Sequence, residues 1–162
     1  MNYAEYVHLL FEQKSGNKVG NDSAENAKVL YREIFSHAQN EIRIFCTNLS
    51  AVVFDDDSVY ESLRGALNRG VKFKIIIKMP PDTSRSLTEL SDAKNVDNVK
   101  IWIKTAGEVT ANGKEVNFAV MDGCGYRYEY DASKPCAVGC ANDPVFAGKL
   151  TSLFDSIVSR AS

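Results

Sequence analysis

Hydrophobic positions along this chain change their spacing repeatedly, and each change marks a new element. Tyr6, Val7, Leu10 and Phe11 recur at helical intervals and predict a short amphipathic helix over Tyr3 to Phe11. Ser15 to Ser23 (SGNKVGNDS) is polar and contains glycine, so it reads as a connector. Asp22 followed by Glu25 has the form of a capping box. It opens a helix to about Ala38 with the apolar stripe Ala27, Leu30, Tyr31, Ile34, Phe35 and Ala38. Glu41 to Thr47 alternates and is rich in β-formers, which predicts a strand.

The aspartates after Phe54 cap the next helix, about Ser58 to Asn68, with Val59, Tyr60, Leu63, Ala66 and Leu67 inward and Gly70 at its end. Val71 to Lys78 follows at once as a strand. Pro80 and Pro81 exclude a regular element, and a shorter helix covers Leu87 to Ala93. Val99 to Lys104 predicts another strand, with Val99, Ile101 and Ile103 on one face and Trp102 with the lysines on the other. Thr105 to Gly113 is a polar loop.

The clearest two-strand pattern comes next, from Glu115 to Asp131. Val116, Phe118 and Val120 alternate with Glu115, Asn117, Ala119 and Met121, Asp122-Gly123 turns the chain, and Tyr126 begins a second strand. Tyr126, Tyr128 and Tyr130 share one face of that strand, opposite Arg127 and Glu129. Cys136 to Cys140 predicts a short strand. Asp143-Pro144 then opens a last helix that buries Phe146, Leu150, Leu153, Phe154 and Ile157. The order of elements predicts an α/β fold, a mixed β-sheet flanked by helices on both faces. Residues 1–21 are expected to form an N-terminal helix and connector, and residues 22–162 a single domain.

Composition narrows the function classes. With 162 residues, 44% hydrophobic and 25% charged, the chain is long enough for one well-filled core. A net charge of −2 supplies no general attraction to nucleic acid or to anionic membrane. Nucleic acid is therefore a partner without electrostatic support, and no apolar run is long enough for a membrane span. The N-terminus lacks the pattern of a signal peptide. Four unevenly spaced cysteines without an export signal imply reduced thiols and a cytoplasmic location.

Several segments together resemble the phospholipase D-like superfamily. They are the strand EIRIFCTNL from Glu41, the junction ALNRGVKFKIII from Ala66 to Ile77, the V-K-I strand, the Asp122-Gly123 hairpin and the late Phe154. The similarity covers about Asp22 to Ser159 and implies that superfamily's sandwich. The family's active-site strand carries H-x-K-x-x-x-x-D-G. Its histidine attacks phosphorus, its lysine neutralises phosphate oxygens, and chains with a single motif dimerise to bring two histidines together. Aligned on Asp122-Gly123, the histidine falls at Glu115 and the lysine at Asn117. A carboxylate repels a phosphodiester and an amide carries no charge, so the nucleophile and its cationic support are both missing. Asp122 matches the acidic position, where a turn-forming Asp-Gly explains it.

Other residues offer candidate chemistry. Lys114 is one position out of phase with Glu115 and Asn117. His8 and His37 sit in predicted helices and read as solvated or edge-packed. Tyr126 and Tyr128 offer a stacking face for a ligand or an interface, although a sheet face packed under a helix accounts for them better. Asn142 lies where the family's polar site residues gather, beside the helix cap Asp143. Cys124, Cys136 and Cys140, with Cys46, offer thiolates for zinc at an unusual spacing, and buried free cysteines are the commoner explanation. Lys72, Lys74, Lys78, Lys100 and Lys104 form rows on two strands, read as solvated edges or as an anion patch. No cofactor is implied. The expected function is a catalytically inactive phospholipase D-like domain that acts as a binding, regulatory or assembly module. It is expected to form a homodimer and to work with a protein partner that supplies any activity. A divergent phosphodiesterase or nuclease, and a metal- or redox-sensing module, are the alternatives.

Overall fold

A strand buried on both faces belongs in the middle of a sheet, and Asn117–Met121 is buried at all five of its positions. The computed structural model describes residues 1–79, 83–93, 98–103, 110–111, 113–134 and 136–160. Its elements run α1 (Tyr3–Glu12), β1 (Lys18–Asn21), α2 (Ala24–His37), β2 (Glu41–Cys46), α3 (Ala51–Phe54), α4 (Asp57–Asn68) and β3 (Lys72–Ile77). They continue with α5 (Arg85–Ala93), β4 (Val99–Ile103), β5 (Thr110–Ala111), β6 (Lys114–Glu115), β7 (Asn117–Met121), β8 (Gly125–Asp131), β9 (Cys136–Cys140) and α6 (Pro144–Arg160). Seven strands form one sheet in the order β1-β9-β8-β7-β2-β3-β4, and β5 with β6 makes a separate two-stranded ribbon. The pairs β2–β3 and β3–β4 are parallel and every other pair in the large sheet is antiparallel. The expected α/β fold, a mixed sheet flanked by helices on both faces, is thus observed, with β8, β7 and β2 at the middle of the sheet.

The two faces carry different helices. On one face α1 to α5 pack over a core of Leu30, Ile34 and Phe35 from α2, Leu63 from α4, and Ile42, Ile44, Phe73, Ile75 and Ala119 from the sheet. On the other, α6 lays Ala147, Leu150, Phe154 and Ile157 against Phe45, Ile76, Phe118, Val120 and Tyr126. Each large side chain buried in this way stabilises the fold by about 1.5–3 kcal/mol. No helix among the described residues is long and apolar enough to cross a membrane.

Several element ends follow from their local chemistry. Asp56 caps α4 by accepting from the amides of Ser58 and Val59 at 2.9 and 3.2 Å, and Asp143 caps α6 through Phe146 at 3.2 Å. Helix α4 stops at Gly70, whose φ of +84° suits glycine. The amides of Gly70 and Val71 then donate back to the carbonyls of Leu67 and Ala66 at 3.0 Å each.

Three local expectations change. Lys18–Asn21 is not a connector but edge strand β1, paired antiparallel with β9; a short segment with Val19 as its one apolar side chain suffices because an edge strand needs a ladder more than a core face. Ser23 caps α2 by accepting from Asn26 at 3.1 Å, so Asp22 and Glu25 do not form the box. The alternation in β7 does not separate core from solvent, since all five of its residues are buried. Along the Val99, Ile101 and Ile103 face of β4, exposure rises from 3% at Val99 to 63% at Ile103. Lys104 and Pro80-Pro81 lie outside the described residues.

Candidate functional site

The start of β7 is where the resemblance expects chemistry, and the structure pulls its two key positions apart. Ladder pairing begins at Asn117, while Glu115 belongs to the small ribbon with β5. The alternation that put both on one face is interrupted at Val116. Glu115 instead meets Lys78, the residue that follows β3, with Nζ 2.7 Å from Oε1. Lys78 also donates to the carbonyl of Val116 at 3.1 Å and lies 4.6 Å from the centre of the Phe45 ring. Its side chain is 7% exposed, so this cation is already engaged on three sides.

Asn117 faces α2. It is buried, and its amide donates to Thr47 Oγ1 at 3.2 Å and to Glu129 Oε2 at 3.3 Å. Glu129 lies opposite it on β8. Two residues back, Arg127 is buried with Nη1 3.6 Å from the same Glu129 oxygen, while its Nε donates to Asn21 Oδ1 at 2.8 Å. The guanidinium lies 5.2 Å from the Tyr31 ring. Asn21 is oriented in turn by its bond to the Ser23 carbonyl, at 2.9 Å. These groups border a cavity of about 450 Å³ between the start of α2, the end of β2, and α3.

The electrostatics of this cavity are balanced. One guanidinium faces one carboxylate, and the remaining polar lining is hydroxyl and amide: Ser23, Thr47, Asn48, Ser50 and Asn117. Burial pushes the Cys46 thiol up to about 12 against the opposing pull of Lys78. It does the same to the Tyr31 hydroxyl against Arg127. Neither group is an anion at neutral pH. Among the described residues, the cavity therefore offers hydrogen bonds and an aromatic wall, and neither Cys46 nor Tyr31 is activated as a nucleophile.

The other sequence candidates lie elsewhere. Tyr126 and Tyr128 are beneath α6, with ring centroids 4.8 and 5.2 Å from Phe146. Their shared face is thus occupied by the helix, and the Tyr126 hydroxyl is raised chiefly by burial. Lys114 approaches Asp131, 3.4 Å away. Asp122 sits at the far end of β7 with φ +53°. Its carboxylate accepts from the amides of Gln39, Asn40 and Glu41 at 2.9, 2.8 and 2.9 Å, which pins the hairpin to the α2–β2 junction.

Asn142 is also at that far end, beside a second cavity of about 310 Å³ that includes Asp122, Cys124, Glu12 and His37. Cys136 begins β9 and Cys140 ends it, so they stand roughly 13 Å apart along the strand. Among the described residues, no group of three metal ligands includes these thiols, and all four cysteines are free.

Arg127, Glu129, Thr47, Asn21 and Lys78 are the residues that sequence reasoning left outside the site. Arg127 had a legible signal: a guanidinium in the middle of an aromatic strand must be partnered if the strand is internal. Its partner Asn21 carries none, because Lys18–Asn21 has the polar, glycine-containing pattern of a connector.

Comparison with protein-family models and with curated sequences returns no match. Solved structures do match in fold. The phospholipase D family member Nuc from Salmonella typhimurium aligns over 88% of this chain and 94% of its own, with 18% identity and a TM-score of 0.58. NucT from Helicobacter pylori aligns over 88% and 96%, with 12% identity and a TM-score of 0.57. TrmBL2, an archaeal chromatin protein with a novel mode of DNA binding, aligns over 94% of this chain and 55% of its own, at 18% identity and a TM-score of 0.56. The chain has a phospholipase D-like fold.

Proposed function

We propose that this chain is a non-catalytic phospholipase D-like domain that serves as a binding module. The observation that carries this reading is the fate of the two positions matched to the family's histidine and lysine. Glu115 is held in an ion pair with Lys78, and Asn117 is buried in hydrogen bonds to Thr47 and Glu129. Both nearby cations, Lys78 and Arg127, face carboxylates. A phosphodiester entering here would meet no uncommitted positive charge among the residues described. An uncharged ligand rich in hydrogen-bonding groups suits the neutral cavity above Arg127 better. The same fold in Nuc and in an archaeal chromatin protein is compatible with either a cleaving or a binding role, and the side chains around Asn117 favour binding.

The module acts as a homodimer in a reducing compartment, and any chemistry comes from a protein partner. The test is metal-independent cleavage of bis(p-nitrophenyl) phosphate and of single- and double-stranded DNA by the full chain. No turnover above buffer is expected. Turnover that disappears in Asn117→Ala or Glu115→Ala would replace this reading with that of a divergent phosphodiesterase. Light scattering at micromolar concentration should give twice the chain mass, and a monomer would remove the dimer.

A further inference from the structure

The last turns of α1 and α2 bring together His8, Glu12 and His37, whose ligand atoms all lie within 4.8 Å of one another. His8 and Glu12 are four residues apart and share a helix face. His37 Nε2 lies 2.9 Å from Glu12 Oε1 and His8 Nε2 lies 3.9 Å from the same oxygen. Tetrahedral zinc with bonds near 2.0–2.1 Å separates its ligands by about 3.3 Å, between the two observed spacings. Small side-chain rotations on two packed helices would close that difference.

A second observation concerns the other ring nitrogens. His8 Nδ1 is 2.5 Å from the carboxylate of Glu33, and His37 Nδ1 is 3.0 Å from the backbone carbonyl of that same residue. Both partners are acceptors, so both Nδ1 atoms carry hydrogen, and both Nε2 atoms are left to face Glu12. The Glu33 side chain is 6% exposed on an otherwise apolar helix face. A buried carboxylate and a carbonyl that fix two imidazoles with Nε2 outward are the supports that metal-binding histidines use.

We propose that His8, His37 and Glu12 bind one divalent zinc-class ion, which clasps the N-terminal helix to α2. Two imidazoles and a carboxylate suit zinc and its borderline neighbours better than magnesium or calcium. Three protein ligands leave a fourth position for water. The cavity of about 310 Å³ bordered by Glu12 and His37 adjoins it, so the ion would be solvent-accessible. The site is separated from the Asn117 end of β7 and is independent of the phosphodiester question. The competing account is a proton in place of the metal, with His37 paired to Glu12 as an ordinary surface ion pair.

Calorimetric titration of EDTA-treated, dialysed full chain with ZnCl₂ should give one site per chain with a micromolar or tighter dissociation constant. Co²⁺ should give the visible bands of a four- or five-coordinate ion. His8→Ala, His37→Ala and Glu12→Ala should each weaken binding at least tenfold with circular dichroism unchanged. Glu33→Gln, which removes no ligand, should weaken it about 10-fold. Nitrogen-15 spectra of the histidines should show both rings metallated at Nε2 and protonated at Nδ1. No binding below millimolar Zn²⁺ would overturn the proposal in favour of the proton. Binding that survives His8→Ala and His37→Ala, or that is abolished by alkylating the cysteines, would overturn it in favour of a thiol site.

Discussion

The two ends of β7 hold the same kinds of groups in opposite relations to water. At the Asn117 end, Arg127 and Glu129 are largely buried, and Lys78 is covered where it meets Glu115. At the Asp122 end, one exposed-edge carboxylate binds three backbone amides, and His8 and Glu12 stand open to solvent nearby. Asn117 is buried in the sheet and Glu115 stays half exposed against Lys78, while the turn residue Asp122 anchors the hairpin. The hairpin's anchorage therefore depends on Asp122 and not on what occupies positions 115 and 117.

Arg127→Met gives the largest break in this comparison. It strands Glu129 and Asn21 in the interior, and removing one partner of a buried ion pair costs about 3–5 kcal/mol. Urea unfolding at neutral pH measures it; a loss under about 1 kcal/mol would mean water reaches the pair freely. Asp122→Ala comes next. It leaves three amides without their acceptor and puts alanine at a positive φ, for a loss of roughly 2–3 kcal/mol. Asp122→Asn should recover part of that, since one oxygen serves both Asn40 and Glu41.

The fold was legible because its signals are local and repeated. The α6 cap at Asp143, the Gly70 stop and the apolar runs of β2, β3 and β7 each declare themselves within a few residues. β1 was not legible: Lys18–Asn21 has no apolar alternation and is a strand only because β9 offers it an edge. The candidate site was half legible. Placing Glu115 and Asn117 on the motif needed only the Asp-Gly offset. Their separation needed the break at Val116, and the partners Lys78 and Asn21 come from 37 and 106 residues away along the chain from Glu115 and Arg127. Strand parity did put Arg127 and Glu129 on one face; it could not show that α2 closes over that face.

The alkaline limb of stability sharpens the same contrast. Burial raises Cys46 from 9.0 to about 12 and Tyr31 from 10.0 to about 12. The native chain therefore keeps protons that the unfolded chain releases. Their contribution is full below about pH 9 and is lost as pH rises toward 12. For Cys46 alone the loss reaches roughly 1 kcal/mol at pH 10. Cys46→Ala should flatten the pH 8–10 slope by that amount, whatever it does to absolute stability. An unchanged slope would mean the thiol reaches water.

Glu115→Gln should have the smallest effect, roughly 0.2–1 kcal/mol. The glutamate side chain is 47% exposed, and Lys78 keeps the Val116 carbonyl and the Phe45 ring when the charge is removed. Glutamine can still accept from Nζ, so only the Coulombic part is lost, and salt should erase most of it. A double-mutant cycle with Lys78→Met, run at low and high salt, isolates that part. A coupling above about 2 kcal/mol that resists salt would make Glu115 as interior in character as Glu129. The Asn117 end would then be a single buried network, and neither motif position could be replaced without rebuilding the other.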